Sequence, residues 1–304
     1  MADDGHDGTL NQYPPETLGT SGPWLVRRLE EEGVELRDTC AFVASLSTLA
    51  DYRSRVLADT AFRFGTHDDA YSYLAAALGT DFVCRAIHHG WVNGLRPHHD
   101  YWSRLAISDP NLFRAGESTT GRNLAWELVI AGIASTFVDG VELSEPDVVC
   151  RWRGRSVNLA AKVAYSANKL WKNVGKGVEQ STKRSGDLDL VFVNVIALLP
   201  AVEWFRESSY QAFSDPVRAV GWVKDRARDW CDKPELREMC ERLEGEAPRP
   251  ITIAFFMPLL VTVSGIPWPF FYTHTPLTTS GDDYEFVREF SKASARILRE
   301  PLPA

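Results

Sequence analysis

From Pro23 onward, apolar residues recur at helical spacing. WLVRRLEEE runs from a proline suited to a first turn to Gly33, a natural stop, and in the next segment Phe42, Leu46 and Leu49 stand at i, i+4 and i+7. The pattern predicts a helical layer up to about Arg114, with Tyr52, Phe62, Phe64, Tyr71 and Tyr73 as core aromatics. GESTTGR, Gly116 to Arg122, reads as a loop feeding a helix N-cap. In NLAWELVIAGIASTFV, Asn123 to Val138, apolar positions surround the helix axis, the mark of a helix buried on all sides. Its only charge is Glu127. A carboxylate there must be paired, protonated or metal-bound, because burying it alone costs several kcal/mol, of order the whole stability margin. Lys162 is a candidate partner for a purely structural ion pair.

The period then changes to two. EPDVVCRWRGRSVNLAAKV, Glu145 to Val163, alternates as a β-hairpin: Asp147, Val149 and Arg151 share one face, as do Asn158, Ala160 and Lys162 on the return strand, while Val157, Leu159, Ala161 and Val163 face the core. A two-residue turn at Arg153 and Gly154 pairs Trp152 with Arg155 and sets Asp147 opposite Ala160, with Lys162 two residues further along. A different turn length would shift that register. A polar and apolar helix follows, then DLVFVNVIALLP as a strand buried on both faces, and charged amphipathic helices from about Ala201 to Glu246. PITIAFFMP reads as a second buried strand, and a helix from about Asp283 to Leu298 closes the chain. The order predicts an α/β fold with a mixed central sheet flanked by helices. The expected organisation is a flexible tail over 1–22, a helical N-terminal region over 23–114, and an α/β core over 115–304.

Composition narrows the setting. Five cysteines, Cys40, Cys84, Cys150, Cys231 and Cys240, stand far apart without CxxC spacing, so buried thiols in a reducing cytoplasm are expected. The N-terminus has neither the basic start nor the apolar run of a secretion signal, and the longest apolar run, Ile253 to Val263, is too short and too broken by Pro258 to cross a bilayer as a helix. The net charge of −8 argues at first against a nucleic-acid partner. Its distribution argues the other way: nine bases and one acid, Glu179, lie between Arg151 and Arg184, a local +8 that leaves −16 for the rest. A solvated helix face accounts for some of these lysines, but it predicts interleaved acids. Lys169, Lys172, Lys176, Gln180 and Lys183 form one stripe of the helix, with Leu170, Val174 and Val178 on another. Lysines so spaced suit a phosphate backbone rather than base readout. Arg184 follows at the helix end, and Arg151, Arg153 and Arg155 near the hairpin tip either reach a groove or simply decorate an exposed turn.

The set of Glu127 in a buried helix, Pro146 and Asp147, then Ala160, Ala161 and Lys162 ending an apolar strand, and Gln180 on the next helix resembles the PD-(D/E)XK nuclease superfamily. The resemblance covers roughly Gly116 to Leu199, with Pro250 to Pro258 as a further strand. It implies a restriction-endonuclease-like core and a metal-dependent endodeoxyribonuclease serving restriction or antiphage defence. Asp147 and Glu127 would be ligands of Mg²⁺ or Mn²⁺, Lys162 would orient the attacking water and stabilise phosphate charge, and Gln180 would support the site or contact the backbone. DNA is the implied partner, with RNA, a homodimer and a partner subunit left open.

Ala160 departs from the pattern, because the family carries Glu or Asp there. A methyl group removes a ligand, so the chain as written is expected to be inactive or severely impaired. Three explanations stand: an introduced substitution, a natural non-cutting relative that binds nucleic acid on a degenerate nuclease fold, or migration of the acid to Asp139, Glu142 or Glu145.

Other signals carry less. His88, His89, His98, His99 and Asp100 near Cys84 match no common zinc spacing. No GxSxG elbow and no GxxxxGK[ST] loop occurs.

Overall fold

A computed structural model describes residues 18–299 apart from 38–39, 59–63, 108, 110, 114–119, 145–146, 212 and 279. Five helices lead the chain: α1 (Ser21–Glu31), α2 (Ala41–Leu57), α3 (His67–Val92), α4 (His99–Ala106) and α5 (Thr120–Ala134). Then come β1 (Asp139–Ser144), β2 (Asp147–Trp152), β3 (Arg155–Val163), α6 (Ala167–Lys183), β4 (Leu188–Asn194), α7 (Ala201–Gln211), α8 (Pro216–Cys231), α9 (Pro234–Glu246), β5 (Thr252–Val263), β6 (Ile266–His274) and α10 (Asp282–Arg299). Of the tail expected over 1–22, residues 18–22 are packed: Leu18 is buried, the Gly19 N–H donates to Asp81 Oδ1 at 2.8 Å, and α1 begins at Ser21. Residues 1–17, Phe62, Pro146 and Gly116 to Thr119 of the expected loop lie outside the described residues.

The six strands form one mixed sheet in chain order, with β3, β4 and β5 parallel and the remaining pairs antiparallel. The β2–β3 turn is the two-residue form: Arg153 and Gly154 both have positive φ, 51° and 80°, the backbone that matches the twist of the flanking strands. The same geometry at Ser264 and Gly265 returns β5 into β6. β6 was not expected from the sequence, because Pro267 and Pro269 interrupt its pattern. It is an edge strand, where missing N–H donors are tolerated. β1 was also missed, its DGVELS too polar to read as a strand on a half-open edge. β5 runs through Pro258 to Val263 rather than ending at the proline, and β4 stops at Asn194, whose side chain turns the chain by accepting the Ile196 N–H at 3.1 Å.

Helices cover both faces. On one, α6 lies over β3 and β4, and Trp230 of α8 packs on Phe255. On the other, Trp126 of α5 and Phe82 of α3 pack on Phe256, and Phe290 of α10 packs on Phe192. A Cβ on Gly132 of α5 would stand 2.0 Å from the Ala86 carbonyl oxygen of α3, so only glycine permits this crossing. The N-terminal helices therefore share one continuous core with the sheet. No helix among the described residues is long and apolar enough to cross a membrane.

Candidate active site

Three elements converge at one end of the β2–β3 hairpin. The pairs from Val148 with Leu159 to Trp152 with Arg155 keep the register that sets Asp147 opposite Ala160. Regular pairing stops at Val148 and Leu159, and the Asp147 carboxylate continues it: Oδ2 accepts the Ala161 N–H at 2.7 Å and the Lys162 ammonium at 2.8 Å. Lys162 Nζ also donates to the Ala161 carbonyl at 2.8 Å, so the lysine is held at two points. Both side chains are mostly buried, Lys162 16% exposed and Asp147 11%. In that setting a hydrogen-bonded pair is held far more firmly than on the surface.

Glu127 reaches this pair from α5. Burial pushes its pKa up to about 7, and the Asp147 charge adds to the rise. Lys162, Arg104 and a hydrogen bond from the Tyr101 hydroxyl oppose it. The Tyr101 hydroxyl is itself pushed up to about 12, chiefly by burial and then by Glu127 and Asp147. Tyr101 and Arg104 belong to α4, and neither was singled out from the sequence. In HDYWSRLA they stand three residues apart on one helical face, but only the packing of α4 on α5 shows that this face meets Glu127.

The fourth position is a methyl group. Ala160 is wholly buried beneath α6. Gly177 of α6 lies over Lys162, where an added Cβ would come within 3.2 Å of Lys162 Cγ and 2.6 Å of Val191 Cγ1, and Ser181 Oγ donates to the Asn158 carbonyl at 3.2 Å. These two contacts bracket Ala160, so Gln180 sits at its level. The Gln180 Oε1 atom is buried and accepts no hydrogen bond among the described residues.

Arg249 fixes the C-terminal end of α6. It pairs with Asp189, only 2% exposed, and donates to the Ser181 and Arg184 carbonyls at the helix end. Asn158 Nδ2 bonds the same Arg184 carbonyl at 2.9 Å and Asp189 Oδ1 at 2.8 Å. This clamp was not read from the sequence, since its partners lie 26 to 68 residues apart.

Can these residues hold a divalent cation? Mg²⁺ is usually bound through one or two carboxylates, its remaining positions filled by water and phosphate oxygens. Glu127 and Asp147, which feel each other's charge, would be the carboxylates available, and the Gln180 oxygen is a buried neutral acceptor without a hydrogen bond among the described residues. Among the described residues no group of three His, Cys, Asp or Glu side chains converges. Of the proposed migrated acids, Asp139 pairs with Arg151 further along the hairpin, and Glu142 is exposed, shares the Asp147 face and pairs with Val149. Glu145 lies outside the described residues. Two carboxylates are the least that such an ion would need, and Asp147 Oδ2 is already engaged by the Ala161 N–H and the Lys162 ammonium.

The basic residues divide. Lys169, Lys172, Lys176, Lys183 and Arg184 are exposed on and just beyond α6. The hairpin arginines are elsewhere: Arg155 is seven residues from Lys162 along β3, ~23 Å at strand rise. It pairs with Asp282, and Arg153 lies over the Trp152 ring at 4.3 Å. Arg151 is exposed opposite Ser156. The α6 lysines and the hairpin arginines thus do not form one patch around Lys162. Of the histidines, His88 stacks on Trp24 at 4.2 Å with its pKa pushed down to about 4 by burial, and His98 accepts the Asp100 N–H at the start of α4. Four of the five free cysteines are buried, Cys40 partly so.

No protein-family model, curated protein or solved structure matches the chain.

Proposed function

We propose that the α/β core is a restriction-endonuclease-like, PD-(D/E)XK phosphodiesterase site for DNA, impaired in this chain by Ala160. The observation that supports the reading is the Lys162–Asp147 pair between β3 and β2 together with the influence of both charges on Glu127 of α5, residues that the sequence pattern singles out as one constellation. Asp147 and Glu127 would hold the divalent cation with Gln180 beside them, and the cation would polarise a phosphoryl oxygen and lower the pKa of a bound water. Lys162 is already held at the edge of that space, where its ammonium can meet charge developing on a phosphate. The α6 lysines give the backbone of a polynucleotide a place to lie. A role in restriction or antiphage defence rests on the resemblance alone.

A second reading has one specific observation in its favour. Ala160 is sealed under α6 and Asp147 is engaged by Lys162, an arrangement that suits a nucleic-acid-binding protein that no longer cuts.

The Ala160→Glu variant decides between them. It is expected to bind Mg²⁺ or Mn²⁺ more tightly than the parent chain by calorimetry and to hydrolyse members of a panel of duplex, single-stranded and modified DNA and RNA, with partner proteins present. The parent binds the same nucleic acid and leaves it intact. A well-folded Ala160→Glu protein that binds metal no better and cuts nothing in the panel removes the enzyme reading and leaves the binding protein.

A further inference from the structure

The outer face of α6 continues into a groove against the end of α9. On a helical wheel the exposed lysines occupy the arc between two sides of α6: the side holding Asn173, Gly177 and Gln180, which meets β3 at the candidate site, and the side holding Trp171, Gly175 and Thr182, which lines the groove. Leu243 and Pro248 form part of the opposite wall. The groove measures about 770 Å³, inside the ~300–1,000 Å³ typical of ligand sites.

Trp171 is unusual in this setting. It is 38% exposed, although tryptophan is highly buried on average, and the Arg242 guanidinium lies over its ring at 4.9 Å. Lys172, Lys176 and Lys183 border the same groove. Two acids, Glu179 and Glu246, also line it, and Glu246 is paired with Arg242. The excess is cationic, and an aromatic face stands within it. Lysines alone would serve any phosphate backbone. An exposed indole beside them adds a surface for an unpaired base, which duplex DNA, with its bases stacked inside, does not offer.

We propose that the α6–α9 groove binds single-stranded polynucleotide, with one base stacked on Trp171 and adjacent phosphates on Lys172, Lys176 and Lys183. The proposal deepens the reading of the neighbouring site, from which it takes the polynucleotide. A strand lying across the α6 lysines would link the groove to Gln180 and Lys162.

The test is fluorescence anisotropy of a labelled twelve-nucleotide oligo-dT, and of a blunt duplex of the same length, on the full chain. Trp171→Ala is expected to weaken oligo-dT binding by about 5- to 150-fold, the range for loss of one stacked base, without changing the salt slope. Trp171→Phe keeps most of the affinity, and the duplex shifts less than twofold. Pro248→Glu, a change at an exposed loop position, places a negative charge in the groove and weakens oligo-dT binding while Trp171 remains. Circular dichroism and melting establish that each variant is folded. Unchanged oligo-dT affinity in both Trp171→Ala and Pro248→Glu, equal losses on duplex and single strand, or no single-strand binding by the parent each overturns the proposal. Cleavage by Ala160→Glu together with an indifferent groove would sink this inference alone. Trp171-dependent binding together with an inert Ala160→Glu would sink only the enzyme.

Discussion

The Lys162 ammonium and the Asp147 carboxylate meet at 2.8 Å across β2 and β3, where regular strand pairing has ended. The pair takes over from the backbone ladder, so it is a structural tie as well as the centre of the candidate site. Lys162→Met should destabilise the fold by about 3 kcal/mol, because it removes the cation from a mostly buried carboxylate. Adding Asp147→Asn should recover part of that loss. In the Lys162→Met protein Mg²⁺ should restore stability in urea unfolding, by binding the two carboxylates only when folded. An identical midpoint with and without Mg²⁺ would argue that they do not hold a cation.

Glu127 sets a pH dependence. Its folded pKa of about 7 exceeds the ordinary 4.5, so the folded state holds the proton more tightly than the unfolded chain. Its contribution to stability therefore falls as pH rises from about 4.5 to about 7. Glu127→Gln removes that loss, and its stability relative to the parent should climb between pH 5 and pH 8. Glu244, also raised to about 7 by burial, supplies the control. Glu244→Gln should show the same trend without affecting cleavage in the Ala160→Glu background, whereas Glu127→Gln should abolish it. A flat difference across pH for Glu127→Gln would mean the carboxylate is already charged at pH 5.

Replacing Lys172, Lys176 and Lys183 together by Ala should weaken binding to all DNA sequences alike. The slope of log affinity against log salt should drop by up to about 0.9 per lost duplex phosphate contact. An unchanged slope would show that these lysines are merely solvated.

Arg249→Ala should cost about 3 kcal/mol, since it leaves the buried Asp189 carboxylate without its guanidinium and leaves the Ser181 and Arg184 carbonyls to Asn158 alone. Asp189→Asn in the same chain should recover much of the loss. Equal stability of the parent and Arg249→Ala would show that Asn158 alone secures the helix end.

The legible parts of this molecule were those governed by local rules. Alternation placed Asp147 and Lys162 on one face, and the Arg153–Gly154 turn fixed the register between their strands, because the side-chain period and the twist of a two-residue hairpin act within a dozen residues. Helical spacing separated the α6 lysines from Leu170 and Val174. β6 was illegible because its prolines obey an edge-strand rule that applies only once the neighbouring strand is known, although the Ser264–Gly265 pair was a turn signal. Tyr101, Arg104 and Arg249 escaped for a different reason. Their partners lie far along the chain, and nothing in a neighbouring residue records which helix will pack where.

The crossing of α3 on α5 at Gly132 bears on how this chain can be divided. The glycine admits the Ala86 carbonyl where any side chain would collide, and Trp126, one residue before Glu127, anchors the same helix to the sheet through Phe256 and the Phe192 carbonyl. Helices α3 and α4 thus act as the mould in which the helix carrying Glu127 is cast. A fragment begun at residue 115 would keep every residue of the constellation and lose the surface that aims Glu127. Shortening the protein to its catalytic-looking half should therefore give an aggregating chain rather than a smaller enzyme.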